Sequence, residues 1–386
     1  MILGQDGYHG RNLLRRGLAE GVLDGVVLSP RYHTPQEMIK TARELASTGA
    51  LVVVDPEFQL SLVPDAALLQ LSAYPYFTPD LSRRSFSGRT ITRIVSSCLR
   101  FQTECSCSAL LTPSLELASS RDWMSQVVLA MNEEALGQRD FLPDVPLHAS
   151  LCIGDALLAS DDQVDELLDM VTTLDVAGFH IVAARARQDP MWSCPGSNVM
   201  FGNLLYVTAI LRSNDFDVHL GYSDIGGALA IAAGARGVAT GWFKSQRHYC
   251  SDAIVASGFG RQPRKAYASA PLMTWVFLEP DLDVIREQGM LGDVLSGNGC
   301  DDLIVNREYD AWRREPMVLG LWETMRVLES SLLPRDSGLG LAAERLQEAR
   351  RLHGLLRAAN LPLESDLSNL ASWAGAVDYA IGRLEA

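Results

Sequence analysis

The chain has 386 residues, of which 47% are hydrophobic and 21% charged, and its formal net charge at pH 7 is −14. This composition is typical of a globular protein with one large core and an appendage. The acidic balance argues against a protein that coats duplex nucleic acid, and no apolar run approaches the roughly 20 residues of a membrane helix.

The cysteines and the N-terminus indicate the cellular setting. Seven scattered cysteines do not form a disulfide framework in a chain of this size. The first ten residues are too polar for a signal peptide. We therefore expect a cytoplasmic protein with no membrane segment.

Short apolar runs that alternate with helical patterns predict parallel strands. The third run, 51–55, reads Leu-Val-Val-Val-Asp, and the last lies at 237–241. The predicted strands are 2–5, 26–29, 51–55, 109–112, 147–152, 179–183, 218–221 and 237–241. Eight strands close a barrel, so the predicted fold class is α/β, a (β/α)8 TIM barrel.

The segments between these runs have the periodicity of amphipathic helices. Pro35 occupies a favoured first-turn position, Met38, Ala42 and Leu45 share one apolar face, and Gly49 ends the helix. Similar faces are predicted at 121–136, 162–174 and 198–212. Each helix is expected to cover the barrel.

A long insertion is predicted after the third strand, at about 59–108. It contains the aromatic segment 74–79, the arginine-rich segment 83–89 and a helix at about 90–104. Because loops that follow barrel strands emerge at the active face, the insertion is interpreted as a lid over an anionic, planar ligand or as a partner surface. A packing insertion is the alternative.

Two regions are expected, with the barrel at 1–250 and a mainly helical extension at 251–386. The clearest helix of the extension lies at 341–359, where Leu346, Ala349 and Leu352 form an apolar stripe. This extension caps the barrel, binds a protein partner or makes a homo-oligomer, and the sequence leaves these alternatives open.

Candidate catalytic residues follow the first three strands, because active sites of this fold gather at the C-terminal strand ends. Asp55 follows the valine run and precedes Pro56, so burial is expected to raise its pKa toward the range of a general acid or base. A helix cap or a rim salt bridge is the alternative role. Glu57, Asp6 and His33 are the other candidates. His9 and His33 follow neighbouring strands and, with Asp6 or Asp55, are the metal-ligand candidates, but their spacing matches no metal motif, and no metal is predicted.

Cationic side chains at the same face predict a positive rim for a phosphate or carboxylate. They are Arg31, Arg185, Arg187, Lys244 and Arg247. Glu116, after the fourth strand, is a further candidate ligand-binding residue. Solvated loop arginines are the alternative.

Residues 221–241 contain a glycine loop, a short apolar helix, a Gly-Ala turn and a strand that ends in glycine. The matching residues are Gly221, Asp224-Ile225, Ala228-Leu229, Gly234-Ala235 and Gly241. This unit resembles the phosphate-binding end of the aldolase-type (β/α)8 barrel superfamily. The resemblance implies ligand contacts in this unit, assigned to Tyr222, Ser223, Asp224, Gly226, Gly227, Gly241 and Trp242. Trp242 is bulky for such a site and suits base stacking or core filling.

The run Lys244-Ser245-Gln246-Arg247 resembles, more distantly, the layout in tRNA-guanine transglycosylases. Those enzymes carry an aspartate nucleophile on the last strand and a zinc-binding Cys/His cluster after the barrel. Here the last strand reads Val-Ala-Thr-Gly, and the cluster is missing from the sequence.

The favoured function is an enzyme of lyase, isomerase or transferase type that acts on a small phosphorylated or nucleotide-like ligand by acid/base chemistry. One alternative is a non-catalytic scaffold or sensor subunit that binds a protein. Another is a transglycosylase-like enzyme acting on a nucleobase or nucleic acid. There are two lesser alternatives. One is a flavin oxidoreductase, and the other is a glycoside hydrolase that uses Asp55, Glu57 and Glu116. No cofactor is predicted, and a flavin is the alternative.

Overall fold

Eight parallel strands form a nearly closed barrel at the centre of the protein. The computed structural model of the chain describes residues 1–8, 10–64, 70–185, 197–251, 254, 264–332, 338–359, 363 and 369–386. The barrel strands are β1 (Ile2–Gln5), β2 (Gly25–Leu28), β3 (Leu51–Val54), β4 (Leu110–Leu111) with its continuation β5 (Glu116–Leu117), β6 (Leu147–Gly154), β7 (Gly178–Ala184), β8 (Asp217–Leu220) and β9 (Gly237–Thr240). Each predicted strand overlaps an observed one, which confirms the predicted α/β fold.

The strands are hydrogen-bonded in the order β3-β2-β1-β9-β8-β7-β6-β4. β3 and β4 meet at the seam of the barrel. There the Ser108 amide donates to the Val52 carbonyl at 2.8 Å, and the Val52 amide donates to the Ser108 hydroxyl at 3.0 Å. At this seam the Ser108 hydroxyl takes the place of a backbone carbonyl as acceptor. The barrel is therefore nearly closed, but β3 and β4 do not pair as neighbouring strands.

Pro113 interrupts the fourth barrel strand. β4 ends before it, β5 begins after it, and both pair with β6. Proline has no amide hydrogen to donate to a sheet. In the gap the Thr112 hydroxyl accepts a hydrogen bond from the Ser150 amide at 3.0 Å. The predicted strand at 109–112 is therefore only two residues long.

The helices between the strands pack around the barrel. Helix Pro35–Ala46 begins at Thr34, whose hydroxyl accepts from the Glu37 amide while the Glu37 carboxylate accepts from the Thr34 amide. It buries Met38 and Leu45, as predicted. The other helices of this part are Arg11–Ala19, Gly88–Glu104, Trp123–Gly137, Asp155–Leu158, Asp161–Val171, Asn198–Ser213 and Gly227–Ala232.

The barrel strands separate two apolar layers. Ile2 and Val26 belong to the large cluster shared with the surrounding helices, whereas Leu3, Val27 and Ala239 form a small separate cluster. Because side chains alternate along a strand, the second group lies inside the barrel. Strands buried on both faces explain the nearly continuous apolar runs of the sequence.

The insertion after β3 directs its aromatic side chains into the core. Tyr74 and Tyr76 are buried, and their ring centroids lie 5.0 and 6.0 Å from that of Phe101 in helix Gly88–Glu104. These rings therefore pack the core instead of forming an exposed aromatic surface. Arg83 and Arg84 of the same insertion are exposed.

The chain after the barrel contains a hairpin as well as the predicted helices. Strands β10 (Ala266–Ser269) and β11 (Thr274–Phe277) are antiparallel and too short to give a clear pattern. Trp322 is buried and donates its Nε1–H to the Thr240 carbonyl at 3.1 Å, so this region packs against the barrel. Its helices are Asp283–Glu287, Leu291–Val294, Asp301–Val305, Arg314–Leu332, Gly338–Ala358 and Asn369–Glu385. Among the described residues, none of the helices is both long and apolar enough to cross a membrane.

Candidate active site at the barrel mouth

An ion pair is buried at the carboxyl ends of β2 and β3. Arg31 Nε donates to Glu57 Oε1 at 2.8 Å, and both side chains are almost completely buried. The Tyr222 hydroxyl donates to Glu57 Oε1 at 2.5 Å, and the Ser29 hydroxyl donates to Glu57 Oε2 at 2.9 Å. Burial raises the pKa of Glu57, and Arg31 only partly opposes this effect. Both carboxylate oxygens are thus bonded, as a buried charge requires.

Two residues of this cluster have a strained backbone. Glu57 and Tyr222 adopt positive φ angles of 50° and 53°. Non-glycine residues rarely adopt the left-handed region, and such strain is concentrated at functional sites. The two strained residues, Glu57 and Tyr222, are also hydrogen-bonded to each other. This coincidence supports the cluster as a candidate site.

Asp55, immediately after β3, has one bonded and one unbonded carboxylate oxygen. Its Oδ1 accepts from the Glu57 amide at 3.0 Å. Its Oδ2 is buried and has no hydrogen-bond partner among the described residues. Burial raises the pKa of Asp55 to about 6, although the Glu57 amide, Arg31 and the nearby Tyr222 hydroxyl act in the opposite direction. Asp55 therefore exchanges its proton close to neutral pH, as a general acid or base does.

Asp6 and His33 form a second buried pair. His33 Nε2 lies 2.5 Å from Asp6 Oδ2, and the Arg11 guanidinium contacts His33 Nδ1. Because arginine only donates, Nδ1 is the acceptor, so the proton of the neutral ring lies on Nε2 and is donated to Asp6. The Gly7 amide donates to Asp6 Oδ1 at 2.8 Å. Both side chains are thus fully engaged within the protein.

Ser29 links the two pairs. Its amide donates to Asp6 Oδ2 at 3.4 Å, and its hydroxyl donates to Glu57. The structure therefore brings Asp6, His33, Asp55 and Glu57, the candidates that the sequence singles out as catalytic, to one side of the mouth.

The loop predicted to bind phosphate already holds an anion of the protein itself. The Asp224 carboxylate accepts from the Ile225 amide at 2.8 Å, from Trp275 Nε1 at 2.8 Å and from Arg247 at 3.2 Å. The Arg247 guanidinium also stacks on the Trp275 ring, 4.5 Å from its centroid. These donors are of the kind expected around a bound phosphate.

Other amides of this loop are also bonded within the protein. The Tyr222 amide donates to Gln5 Oε1 at 3.3 Å, and the Ser223 amide donates to the Ala239 carbonyl at 2.7 Å. The Gly227 amide donates to the Asp224 carbonyl at 2.7 Å. A Cβ on Gly227 would lie 2.8 Å from the Ser223 Cβ, so glycine permits this close packing. Gly226 precedes the helix as its buried N-cap.

Gly241 and Trp242 lie where β9 leaves the barrel. A Cβ on Gly241 would lie 2.8 Å from Gln246 Cδ and 2.9 Å from the Gln5 carbonyl oxygen, so this position also requires close approach. Trp242 is half-buried and packs against the barrel cluster and the cluster of the C-terminal region. Its position agrees with the core-filling interpretation. Lys244 is exposed.

The remaining predicted ligands lie near the ends of β5, β6 and β7. Arg185 Nε donates to Asp155 Oδ1 at 2.8 Å, and the Ser251 hydroxyl donates to Glu116 Oε2 at 2.5 Å. Arg187, and His9 after β1, lie outside the described residues.

Carboxylates balance the arginines that the structure describes at the mouth. Arg31, Arg185 and Arg247 pair with Glu57, Asp155 and Asp224, respectively. The predicted positive rim is therefore neutralised within the protein at these three positions.

Sequence reasoning missed three buried histidines on consecutive strands. His148, His180 and His219 lie on β6, β7 and β8, and burial lowers their pKa values to about 4, 4 and 3. Each has a ring nitrogen without a hydrogen-bond partner among the described residues. His180 Nε2 lies 3.9 Å from Asp55 Oδ2. A histidine within each of three buried apolar runs is the signal that could have identified them.

Tyr249 is another residue near the site that was not predicted from the sequence. Its ring meets that of Tyr222 edge-on, with the centroids 5.0 Å apart. Its buried hydroxyl has no hydrogen-bond partner among the described residues, and the same is true of Gln5 Nε2. Both unsatisfied groups belong to residues that contact Tyr222. They mark a polar region whose hydrogen-bonding groups lack partners among the described residues.

In the part of the chain that the structure describes, no group of three or more His, Cys, Asp or Glu side chains is placed to hold a metal ion. Comparison with known proteins gives no family: no protein-family model matches the chain, and no curated protein matches it. The barrel-like fold and the residues at its mouth are therefore the basis for any functional argument.

Proposed function

We propose that this chain is an enzyme that transfers a proton to or from a small molecule at the barrel mouth, with Asp55 as the general acid or base. The observation that carries this proposal is the buried Oδ2 of Asp55, which has no hydrogen-bond partner among the described residues and belongs to a carboxyl group whose pKa is about 6. A catalytic group is most effective when its pKa lies near the working pH. Active sites of TIM barrels lie at this face.

Arg31, Glu57 and Tyr222 form the proposed supporting cluster. Arg31 Nη2 donates to the Tyr222 hydroxyl at 3.2 Å, and that hydroxyl donates to Glu57. Because the guanidinium is buried, its charge acts on nearby groups with little screening by water. Because Glu57 neutralises this guanidinium, we assign to Arg31 and Tyr222 the positioning of Glu57.

A small anionic ligand, phosphorylated or nucleotide-like, remains the predicted substrate class. Arg247 contacts the loop that resembles a phosphate site, where it is paired with Asp224. The described contacts therefore support a specific form of the prediction, in which a bound anion displaces the Asp224 carboxylate from Arg247.

The first experiment is a thermal-shift screen of the wild type against phosphorylated sugars, nucleotides, nucleobases and flavins. A ligand at about 100 times its Kd stabilises a protein by roughly 2.7 kcal/mol, enough to raise the melting temperature by a few degrees. Each hit is then incubated with the protein in D2O, and proton NMR follows the exchange of ligand C–H groups or the appearance of product. This readout detects proton transfer before the product is known.

The test variant is Asp55→Asn, which keeps the shape of the side chain and removes its titration. The matched control is Asp140→Asn, because Asp140 is an exposed carboxylate in the turn Arg139–Phe141, which precedes β6. We expect Asp55→Asn to retain ligand binding and to lose at least about 100-fold in rate, as general acid–base catalysis contributes. Asp140→Asn should leave both unchanged.

A rate that survives Asp55→Asn would exclude Asp55 as the acid or base. A hit confined to nucleobases would favour the transglycosylase-like alternative. A wild type that no compound stabilises or reacts with would contradict the proposal and favour the non-catalytic scaffold.

A further inference from the structure

One segment of this acidic protein is strongly basic. Residues 81–103 contain five arginines and no aspartate or glutamate, whereas the whole chain has a net charge of −14. All five arginines are exposed. We call them the arginine face: Arg83, Arg84, Arg89, Arg93 and Arg100.

The helix Gly88–Glu104 aligns three members of this face. With about 100° between successive residues, Arg89, Arg93 and Arg100 lie within an arc of about 40°. The opposite side of the helix buries Ile94 and Leu99 in the core. These three arginines therefore lie on the outer side of a helix that packs against the core.

Among the described residues, the arginine face has no acidic partners of the kind that neutralise other arginines of this protein. No carboxylate of the described residues forms an ion pair with any of its five members. Arg93 makes one hydrogen bond, to the Thr78 hydroxyl at 3.4 Å. In contrast, exposed arginines such as Arg121 and Arg236 are paired with acids. Three acids border the face: Asp80 and Glu104 flank the segment, and Glu134 accepts from the Thr92 hydroxyl at 2.9 Å.

The arginine face lies beside the candidate active site. The segment follows β3, and Asp55 and Glu57 come directly after that strand. Arg83 and Arg84 precede the helix, so they lie toward the mouth, because barrel helices run back from the carboxyl ends of the strands. Arg100 lies near the far end of the helix. The face thus extends from the mouth down the side of the barrel.

We propose that the arginine face binds the phosphodiester backbone of a nucleic-acid strand. Guanidinium groups match phosphate geometry, and arginine is a common contact to the phosphates of nucleic acids. The large exposed apolar residues among those described, Tyr8, Phe141, Val305, Leu355 and Leu384, lie outside 81–103. A protein–protein interface needs an apolar core, whereas a nucleic-acid interface is polar and basic. This inference goes beyond the proposed reaction, and its test needs no turnover.

The test measures fluorescence anisotropy of labelled oligothymidylate of about 20 nucleotides, and of a duplex of the same length, titrated with the full chain between about 50 and 200 mM salt. If five arginines each neutralise one phosphate of a single strand, log K should fall with log salt with a slope of about −3.5. The triple variant R89Q/R93Q/R100Q should bind at least about tenfold more weakly, and the slope should become shallower by about 2.

The matched control is R350Q/R351Q/R357Q, which removes three exposed arginines from helix Gly338–Ala358 and changes the net charge by the same amount. It should bind like the wild type. Melting curves verify that both variants are folded. Binding by either oligonucleotide, with loss only in the first variant, supports the proposal and shows which strand form is preferred.

Two results would overturn it. One is that neither oligonucleotide binds in a salt-dependent manner. This result would also overturn the proposal if sedimentation showed that the face mediates self-association instead. The other is equal weakening in the two triple variants, which would mean that total charge, and not this face, controls binding.

Discussion

His180 Nε2 and Asp55 Oδ2 lie 3.9 Å apart, and neither atom has a hydrogen-bond partner among the described residues. His180 belongs to β7 and Asp55 follows β3, so the contact crosses the barrel. Burial lowers the pKa of His180 to about 4 and raises that of Asp55 to about 6. Near neutral pH the imidazole is therefore uncharged, and Asp55 is the member of the pair that changes its charge.

Replacing His180 by Met should raise the pKa of Asp55. We expect a small rotation of the ring to bring an Nε2–H donor to the carboxylate when Asp55 ionises, and such a donor favours the charged form. Removal of this donor should then shift the pKa of Asp55 upward by about one unit. His180→Gln is the matched control, because it is similar in shape to Met and keeps a donor near the position of Nε2. Carbon-13 NMR of the aspartate carboxyl groups gives the titration, and Asp55→Asn identifies the resonance.

Identical Asp55 titrations in the Met, Gln and wild-type proteins would show that His180 only fills space. Recovery of the wild-type midpoint in His180→Gln, but not in His180→Met, would show that the donor matters. Melting temperatures of the variants exclude a general loss of structure.

Asp55→Asn should stabilise the protein above pH 6. The pKa of Asp55 is about 6 in the folded state, above the ordinary value of 3.8. Between these values the folded state binds more protons than the unfolded state, so the free energy of unfolding falls as pH rises. The loss is complete above about pH 6 and amounts to about 3 kcal/mol at most. Urea unfolding of the two proteins from pH 4 to 8 measures the difference.

The control for this series is Asp140→Asn, which removes an exposed carboxylate. Its difference from the wild type should stay nearly constant with pH. If the Asp55→Asn difference is equally flat, then burial does not raise the pKa of Asp55, and the argument for its role as an acid or base fails.

The pattern of strands could be predicted from the sequence, because parallel strands buried on both faces need continuous apolar runs. β1 begins and ends where predicted, and β9 ends one residue earlier than predicted. Polar residues at strand ends were also predictable. Their partners were not: Trp275, which bonds to Asp224, is 51 residues away in a hairpin whose strands have only four residues each. Local patterns do not encode such contacts.

The histidines inside the barrel should make the protein sensitive to acid. The ordinary histidine pKa is 6.5, and burial lowers that of His148 to about 4 and that of His219 to about 3. Below pH 6.5 the unfolded state therefore binds more protons, so stability is lost as pH falls through these folded-state values. The loss amounts to at most about 3 kcal/mol for His148 and about 5 kcal/mol for His219. Their ring centroids lie 5.4 Å apart, so charging one opposes charging the other.

The double variant His148→Gln/His219→Gln should flatten this acid dependence, measured as the difference in unfolding free energy from the wild type between about pH 3 and 7. His353→Gln is the control, because His353 is half-buried on the outer helix Gly338–Ala358. A control with the same effect as the double variant would assign the acid sensitivity to general charging of the protein.

Asp224→Ala should convert an internal ion pair into an anion site. The change leaves Arg247, the Trp275 Nε1–H and the Ile225 amide without their common acceptor. Unpaired buried donors cost about 1 to 3 kcal/mol each, so the variant should melt at a lower temperature. Inorganic phosphate should restore part of the loss, because it offers oxygen acceptors and a negative charge to the same three donors.

The measurement is the melting temperature in phosphate and in chloride at equal ionic strength. Asp224→Ala/Arg247→Gln removes the cation as well and should not respond to phosphate beyond the wild type. If the two variants respond equally, then Asp224 does not occupy the place of a ligand anion, and the prediction of a phosphorylated substrate loses its structural basis in this loop.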